Sequence, residues 1–334
     1  MLQLPIIDLS DLDTDPLRAA DAPEVVAAIA DAAQRFGFFQ VVHHGIDATL
    51  TAEVWEQTRR FFALSAEAKR SILRTKENSR GYYDRELTKQ RRDLKEVLDL
   101  AHVPFPELPD DDPRNFHRVD GVNQWPELPD FRTTMVTWLQ ACELLSKRLL
   151  AGFAVALDEE PTQLLRHFGD DHTSFVRLNH YPLGDLLSED EAAGVTPLGD
   201  MALHHHSDAG ALTLLLQDDI GGLQVEHGGD WIDVEPIPGA FVINTGDMMQ
   251  VWSNDRFTAA LHRVAPRSTH ARYSLPYFFN PSYATDYAPL PGSISVGEVP
   301  HYRPLNWGDF RQGRADGDFA DYGTEIQISQ FRTV

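Results

Sequence analysis

Short β-rich segments in the second half of the chain constrain its fold more than any other feature. They begin near Ser174, and glycine and proline residues separate them. The predicted strands cover residues 176–181, 212–216, 222–226, 231–234, 240–245, 263–265 and 273–278. Many short strands divided by turn residues are typical of a β-sandwich or a jelly roll.

The first half of the chain has helical patterns instead. Apolar residues recur at helical spacing from Val25 to Phe36, and Gly37 ends that pattern. Further elements are amphipathic helices over 48–64 and 131–157, strands over 4–9 and 38–42, and a Pro- and Asp-rich loop over 104–113. With no internal repeat, we expect a single unit over residues 1–334 in which helices cover a mainly β core.

Composition argues against several classes of partner. A formal net charge of −22 disfavours nucleic acid, which proteins bind through clustered lysines and arginines. The only cysteine, Cys142, rules out an intrachain disulfide and is expected to be a core residue. The N-terminus lacks the pattern of a signal peptide, and no apolar run is long enough to span a membrane. We therefore expect a cytoplasmic protein; its oligomeric state is left open, and a monomer is compatible with the sequence.

The pattern His206-x-Asp208, followed 54 residues later by His262, is the strongest functional signal. Residues two apart on a strand face the same side, so His206 and Asp208 can bind one metal ion while Ser207 faces away. Two imidazoles and one carboxylate form the ligand set of non-haem Fe(II) oxygenases. The ligand residues alone do not distinguish Fe(II) from zinc, manganese or nickel.

His206 has two histidine neighbours, His204 and His205, and only one of the three has an acid at the required offset. His204 would share the strand face of His206 but lie about 7 Å away along the strand, too far for both to bind one ion. His205 would point to the opposite side. We predict that neither residue is a metal ligand.

Further short sequence motifs accompany these residues and are distributed over nearly the whole chain. In the second half it comprises 206–210 (HSDAG), 222–225 (GLQV), 244–247 (NTGD), 252–255 (WSND), 262–264 (HRV) and 272–278 (RYSLPYF). Elsewhere it comprises 36–39 (FGFF), 43–46 (HHGI), 80–82 (RGY), 93–96 (DLKE), 322–323 (YG) and 325–327 (EIQ). The chain resembles the iron- and 2-oxoglutarate-dependent oxygenases, in the branch of isopenicillin N synthase and the plant flavonoid oxygenases, where Asn is usual at the place of His43.

The resemblance implies a fold and the bounds of its two regions. The fold is a double-stranded β-helix, or jelly-roll, core with N-terminal and flanking helices. The resemblance places the iron and 2-oxoglutarate core at 172–285 and the family's N-terminal region at 1–115. It also identifies His206, Asp208 and His262 as the iron ligands.

A second set of residues is expected to bind the cosubstrate. Arg272 can form a paired, charge-assisted hydrogen bond with a carboxylate, and Ser274 lies on the same strand face. By resemblance, these two hold the distal carboxylate of 2-oxoglutarate, while Asn179 and Tyr181 contact the same molecule. His180 stands where the family usually has a tyrosine, which leaves both contact positions intact.

Two further residues align with substrate contacts of the family. Phe278 aligns with an aromatic residue that stacks on the substrate of flavonoid oxygenases, and Arg177 aligns with a basic residue near that pocket. The sequence equally allows Phe278 to pack in the core and Arg177 to form a structural salt bridge.

The implied activity is that of a dioxygenase of secondary metabolism. It would use Fe(II), 2-oxoglutarate and O2 to oxidise a small metabolite, with succinate and CO2 as co-products. Hydroxylation is the default outcome, with desaturation or ring closure as variants. The alternatives are an oxidase similar to isopenicillin N synthase that uses no oxoacid, and a metal-binding module without turnover. The retained Asn179 and Tyr181 favour the oxoacid, and the complete ligand set favours turnover.

Overall fold

A computed structural model describes residues 2–75, 78–101, 121–267, 269–318 and 326–333. The helices are α1 (Pro23–Arg35), α2 (Ala48–Phe62), α3 (Ala66–Arg70), α4 (Phe131–Ala156), α5 (Thr162–Leu165), α6 (Glu189–Ala193), α7 (Asp247–Trp252) and α8 (Trp307–Asp318). The strands are β1 (Ile6–Asp8), β2 (Phe38–Val42), β3 (Gly81–Tyr83), β4 (Leu87–Thr88), β5 (Arg91–Arg92), β6 (Glu96–Ala101), β7 (Phe175–Tyr181), β8 (Leu203–His206), β9 (Leu212–Gln217), β10 (Leu223–His227), β11 (Asp230–Asp233), β12 (Phe241–Thr245), β13 (His262–Val264), β14 (Arg272–Phe279), β15 (Asp286–Tyr287) and β16 (Leu305–Asn306).

Two sheets form the centre of the molecule. The larger has the strand order β1-β2-β12-β9-β14-β7-β6-β3, and the smaller has the order β11-β10-β13-β8. Apolar side chains of both sheets share one buried cluster, in which Phe38, Leu215 and Val242 of the larger sheet join Leu223 and Val225 of the smaller. This is the mainly β architecture with flanking helices that the sequence predicts.

Helices α1, α2 and α4 pack together over the outer face of the larger sheet. The central helix, α4, contacts α1, α2 and strands β9 and β14. Its Trp138 is fully buried and stacks on Phe241 of β12, with ring centres 5.7 Å apart. Cys142 also lies in this core, as expected, and burial raises the pKa of its thiol. None of the described helices is both long and apolar enough to cross a membrane.

The chain turns directly from α1 into β2 at Gly37. This residue has φ +64°, and a Cβ there would collide with the carbonyl oxygen of Thr258. Only glycine meets both conditions without strain, so the glycine that ends the predicted helix also allows the chain to enter the larger sheet.

Most predicted elements agree with the structure to within two or three residues, and the exceptions have a physical cause. Strand β6 was not predicted because it carries Glu96 and Asp99, which look exposed in the sequence but are buried in ion pairs. Helices α7 and α8 were also not predicted. The loop expected over 104–113 and the family-like residues 322, 323 and 325 lie outside the described residues.

Candidate active site

A cavity lies between the two sheets, and strand alternation determines which side chains face it. In β14 the residues that line the cavity alternate with residues that pack in the core behind the sheet. The cavity-facing residues of β14 are Arg272, Ser274, Pro276 and Phe278, and those of β7 are Phe175, Arg177, Asn179 and Tyr181. The period-two pattern of these strands therefore lines the cavity with polar and aromatic groups.

His206, Asp208 and His262 meet at this cavity, although 54 residues separate the last two. Strands β8 and β13 are antiparallel neighbours, and His206 and His262 lie directly opposite each other in their register. The Nε2 atoms of both histidines are 3.8 Å from Oδ1 of Asp208. The ligand atoms of the three residues lie within 4.8 Å of one another, the only such group of His, Cys, Asp or Glu in the described part of the chain.

Backbone carbonyls orient both imidazoles. The Nδ1 of His206 lies 2.9 Å from the carbonyl oxygen of His204, and the Nδ1 of His262 lies 3.2 Å from that of Ala260. An imidazole that donates from Nδ1 presents the lone pair of Nε2 to a metal. Burial and the nearby His262 lower the pKa of His206 to about 3, so the ring is neutral at pH 7, as a ligand must be.

Asp208 is held by groups that leave one of its oxygens for a metal. Its Oδ2 accepts hydrogen bonds from Thr213 at 2.5 Å and from the side-chain amide of Asn244 at 2.8 Å. Burial opposes its charge, but the two imidazoles and these hydrogen bonds keep its pKa below the ordinary value. Oδ1 then faces the histidines, and carboxylate plus imidazole donors suit Fe(II).

The orientation of Asp208 has a different cause from the one that the sequence predicts. Strand β8 ends at His206, so strand pleating does not orient Asp208. The backbone N–H of Asp247, at the start of α7, donates to the carbonyl oxygen of Asp208 at 2.7 Å instead. Ser207, which was expected to face away, also borders the cavity, and its carbonyl accepts a hydrogen bond from Arg314 at 2.8 Å.

The two other histidines of the triplet have different surroundings. His204 is buried, and its Nδ1 lies 2.7 Å from Oδ1 of Asp93, which also accepts from the His204 backbone N–H at 3.2 Å. His205 is exposed. Neither belongs to the metal-binding group, and the bonds of His204 anchor β8 to the segment just before β6.

The residues expected to bind an oxoacid lie together because three strands are in register. Arg272 is opposite Tyr181 and Ser274 is opposite Asn179 in the β14–β7 pairing, while Ser274 is opposite Gln217 on the β9 side. Arg272 donates to Ser274 at 3.2 Å and to Gln217 at 3.3 Å, and its guanidinium carbon is 4.9 Å from the Tyr181 ring centre.

Arg272 has the environment of an anion-binding residue. It is 1% exposed, yet within the described ranges no carboxylate lies at ion-pair distance from it. Buried side-chain atoms beside the cavity also have no hydrogen-bond partner there, namely Nε of Arg272, Oδ1 of Asn179 and Nε2 of Gln217. A buried guanidinium is costly without an anion. A carboxylate of an oxoacid fits this cradle, which borders the same cavity as the metal-binding group.

Arg177 and Phe278 both border the cavity, as the sequence alignment to the family suggests. The Arg177 guanidinium donates to Asp99 twice at 2.7 Å and to Glu86 at 2.5 Å. These carboxylates outweigh burial and raise its pKa. Phe278 stacks on Phe175 with ring centres 4.7 Å apart and is only partly buried, so one side of the ring is open to the cavity.

Several residues at the site were not assigned a role from the sequence. Asn244 lies in a segment that resembles the family, and Thr213 lies in the predicted strand over 212–216, but only the fold shows that both donate hydrogen bonds to Asp208. The cavity is also bordered by the buried Glu86–Lys95 pair, with Nζ of Lys95 3.2 Å from Oε2 of Glu86, and by residues of α8. The available signal for Lys95 was its place in residues 93–96, which resemble the family.

Two family models match the chain. The model for the 2OG-Fe(II) oxygenase superfamily matches residues 172–281, and the model for the N-terminal region of non-haem dioxygenases in morphine synthesis matches residues 4–128. Together they span both the helical first half and the cavity-forming strands.

Relatives and solved structures agree with these matches. A 2-oxoglutarate-Fe(II) type oxidoreductase of Emericella nidulans is 34% identical over 92% of the chain and 88% of the relative. A homoarginine-6-hydroxylase of Glycine max is 36% identical over 86% and 88%. The crystal structure of JOX2 with 2OG, Fe and JA has a TM-score of 0.75 at 29% identity, covering 93% of this chain and 84% of that one. The crystal structure of a full-length Neurospora crassa protein in complex with alpha-KG has a TM-score of 0.75 at 27% identity, covering 93% and 95%. The predicted jelly-roll fold is confirmed.

Proposed function

Because this chain belongs to the 2OG-Fe(II) oxygenase superfamily, we propose that His206, Asp208 and His262 bind its Fe(II). The enzyme is an Fe(II)- and 2-oxoglutarate-dependent dioxygenase that acts on a small molecule. One observation carries the ligand assignment: two imidazoles and one carboxylate lie close together. A hydrogen bond holds each of these groups and leaves a lone pair for the metal. Three protein ligands on one face leave positions for a chelating cosubstrate and for O2.

The cosubstrate assignment extends to four residues. Arg272 and Ser274 bind the distal carboxylate of 2-oxoglutarate, and Asn179 and Tyr181 contact the same molecule. The support is the buried guanidinium with no carboxylate partner in the described ranges, which faces the same cavity as the metal-binding group. When bound, iron and oxoacid supply the oxidation, in which O2 and 2-oxoglutarate become succinate, CO2 and one hydroxyl oxygen on the substrate.

The contribution of the chain itself is binding, orientation and exclusion of water. The oxoacid cradle lies on the larger sheet and the histidine ligands lie on the smaller sheet, and both border one cavity, so the packing of the two sheets positions both ends of the cosubstrate before the substrate binds. The apolar floor of the cavity, formed by Phe38, Leu215 and Leu223, shields the reacting groups from solvent. Phe278 contacts the substrate in this proposal, which its half-buried ring at the cavity supports, while the ion pairs of Arg177 hold the neighbouring wall.

The remaining parts of the proposal concern context. We expect the enzyme to work in the cytoplasm, in secondary metabolism, on a metabolite and not on nucleic acid; the homoarginine hydroxylase among its relatives supports a metabolite. We also keep the division into an N-terminal region over 1–115 and a core over 172–285. Hydroxylation is the expected outcome.

Succinate formation tests the proposed function. The purified protein with Fe(II) and O2 should convert 2-oxoglutarate into succinate, with higher rates in the presence of a substrate. His206→Ala and Asp208→Ala should each lose bound iron and turnover while circular dichroism stays unchanged. Full activity in either variant would refute the ligand assignment, and turnover of an organic substrate at full rate without any oxoacid would refute the cosubstrate.

A further inference from the structure

The carboxylate of the metal-binding group lies on a short segment that strand pairing does not hold. Strand β8 ends at His206, and Asp208 follows in residues 207–211, before β9 begins at Leu212. The carbonyl groups of such a buried segment need hydrogen-bond partners, and those partners fix its course. The orientation of Asp208 therefore depends on what holds the backbone on either side of it.

One side of this segment is held by the start of α7. The backbone N–H groups of residues 246–248 donate to the carbonyl oxygens of Asp208, Gly210 and Ala211 at 2.7–3.2 Å. N–H groups in the first turn of a helix have no partner within the helix, so the segment supplies one for each of them. The contact requires glycine at position 246, because a Cβ on Gly246 would collide with the carbonyl oxygens of Asp208 and Gly210.

The carbonyl of Ser207 is held from another direction, by Arg314 of α8. Its Nη2 donates to the Ser207 oxygen at 2.8 Å, and its Nη1 donates to Oδ2 of Asp247 and to Oε1 of Gln327, each at 3.4 Å. The Ser207 carbonyl belongs to the peptide group directly before Asp208, whereas the N–H of Asp247 holds the peptide group directly after it. Because the guanidinium is planar and fixes the directions of its donors, Arg314 joins the first peptide group to the start of α7.

Helix α8 holds Arg314 in place because one face of the helix is buried. Trp307 and Phe310 are each 1% exposed, and they precede Arg314 by seven and four residues, so the three share one face. The indole N–H of Trp307 donates to Oγ1 of Thr173 at 2.9 Å. Arg314 itself is 7% exposed, and its hydrogen bonds are therefore shielded from water.

Building on the proposed function, we propose that Arg314 is a positioning residue of the metal centre. It fixes the peptide group between Ser207 and Asp208, and so keeps Oδ1 of Asp208 directed at the two histidine ligands. In this role Arg314 contacts neither the metal nor the cosubstrate. The C-terminal helix α8 is then part of the metal centre, although it contributes no ligand.

Metal affinity tests this role without turnover. Metal-free protein is titrated anaerobically with Fe(II) in competition with a chelator. Arg314→Met replaces the guanidinium by an apolar side chain of similar length, and it should weaken Fe(II) binding about 10- to 100-fold, the usual effect of removing a group that orients a metal ligand. Cobalt(II) bound in place of iron has a visible absorption that depends on the arrangement of its ligands, and this spectrum should differ between Arg314→Met and the wild type.

Arg148→Met is the matched control. Arg148 of α4 is also 7% exposed and also donates to backbone carbonyls, those of Leu12, Asp13 and His44. Both substitutions remove a buried arginine and its hydrogen bonds, so both should lower the free energy of unfolding of the metal-free protein. Only Arg314→Met should weaken metal binding and change the cobalt(II) spectrum.

A double variant keeps the test decisive if Arg314→Met does not fold. The single substitution removes one member of the buried pair with Asp247, which destabilises a protein more than removal of both members. Arg314→Met combined with Asp247→Asn removes both charges and retains the backbone N–H of residue 247, which bonds to Asp208. It still lacks the donor to Ser207, so it should bind Fe(II) 10- to 100-fold more weakly than the wild type.

The outcomes separate this proposal from the one on which it rests. Wild-type Fe(II) affinity or an unchanged cobalt(II) spectrum in the folded variant without Arg314 refutes the positioning role and leaves the proposed function intact. An equal loss of metal affinity in Arg148→Met also refutes it, because the loss would then follow from stability alone. If the wild type binds no Fe(II), or if His206→Ala keeps the ion, the proposed metal site is wrong and this proposal fails with it.

Discussion

Replacing Arg272 by methionine should strongly weaken 2-oxoglutarate binding at little cost to the stability of the unliganded protein. The substitution exchanges a guanidinium that is 1% exposed for an apolar side chain of similar length. It removes a buried cation that has no carboxylate partner within the described ranges, which is favourable. It also removes the hydrogen bonds to Ser274 and Gln217, which is unfavourable.

These two contributions oppose each other in the absence of the ligand. We therefore expect the net change in the free energy of unfolding to stay near 1 kcal/mol, which shifts Tm by about 2–4 °C at most in a chain of this order of size. Loss of a charge-assisted hydrogen bond, by contrast, costs about 1.5–3 kcal/mol of binding energy, or roughly 10- to 150-fold in affinity.

Thermal unfolding with and without 2-oxoglutarate measures both quantities. At a ligand concentration of about 100 times the wild-type Kd, binding stabilises the wild type by about 2.7 kcal/mol. A variant with 100-fold weaker affinity gains only about 0.4 kcal/mol under the same conditions. Anaerobic Fe(II)-loaded samples prevent turnover, and Arg303→Met serves as a matched control at an exposed site.

The reasoning is refuted by either of two results. If Arg272→Met gains as much thermal stability from 2-oxoglutarate as the wild type, Arg272 does not bind the cosubstrate. If the unliganded variant is destabilised by many degrees, the guanidinium is needed for the fold and its environment is not that of an anion-binding site.

Three further predictions concern residues around the metal and the oxoacid. His205→Ala should keep stoichiometric iron and full activity, and His204→Ala should also keep iron but lose about 1–3 kcal/mol of stability, because it removes a buried partner of Asp93; iron analysis and urea unfolding check both, and metal loss from His204→Ala would mean that the wrong histidine was chosen. Asn244→Leu should weaken iron binding about 10- to 100-fold, since it removes a donor that orients the carboxylate ligand; competition with a chelator measures this, and unchanged affinity would exclude that role. Ser274→Ala should reduce 2-oxoglutarate affinity less than the arginine substitution, because it removes one neutral donor; an equal or larger loss in the same thermal assay would contradict the assignment.

Local patterns in the sequence were sufficient to predict the elements that follow a simple period. Strand β2 and helix α4 could be delimited to within a residue, because residues 38–42 are a β-rich run directly after Gly37 and the apolar residues of 131–157 recur at helical spacing. The pair Arg272 and Ser274 was identified because residues two apart on a strand share a face. The pattern His206-x-Asp208 was identified by the same argument, although Asp208 lies beyond the end of β8 and strand pleating does not orient it.

Contacts between distant segments were decided by the tertiary structure alone. The sequence contains His262, but only the β8–β13 register places it opposite His206, and only the β14–β7 register places Ser274 opposite Asn179. Strand β6 escaped prediction because its acids are neutralised by cations from other elements, which makes a buried segment look exposed. Periodicity is a local property of the chain, whereas strand register and charge pairing depend on residues that are far apart in sequence and adjacent only after folding.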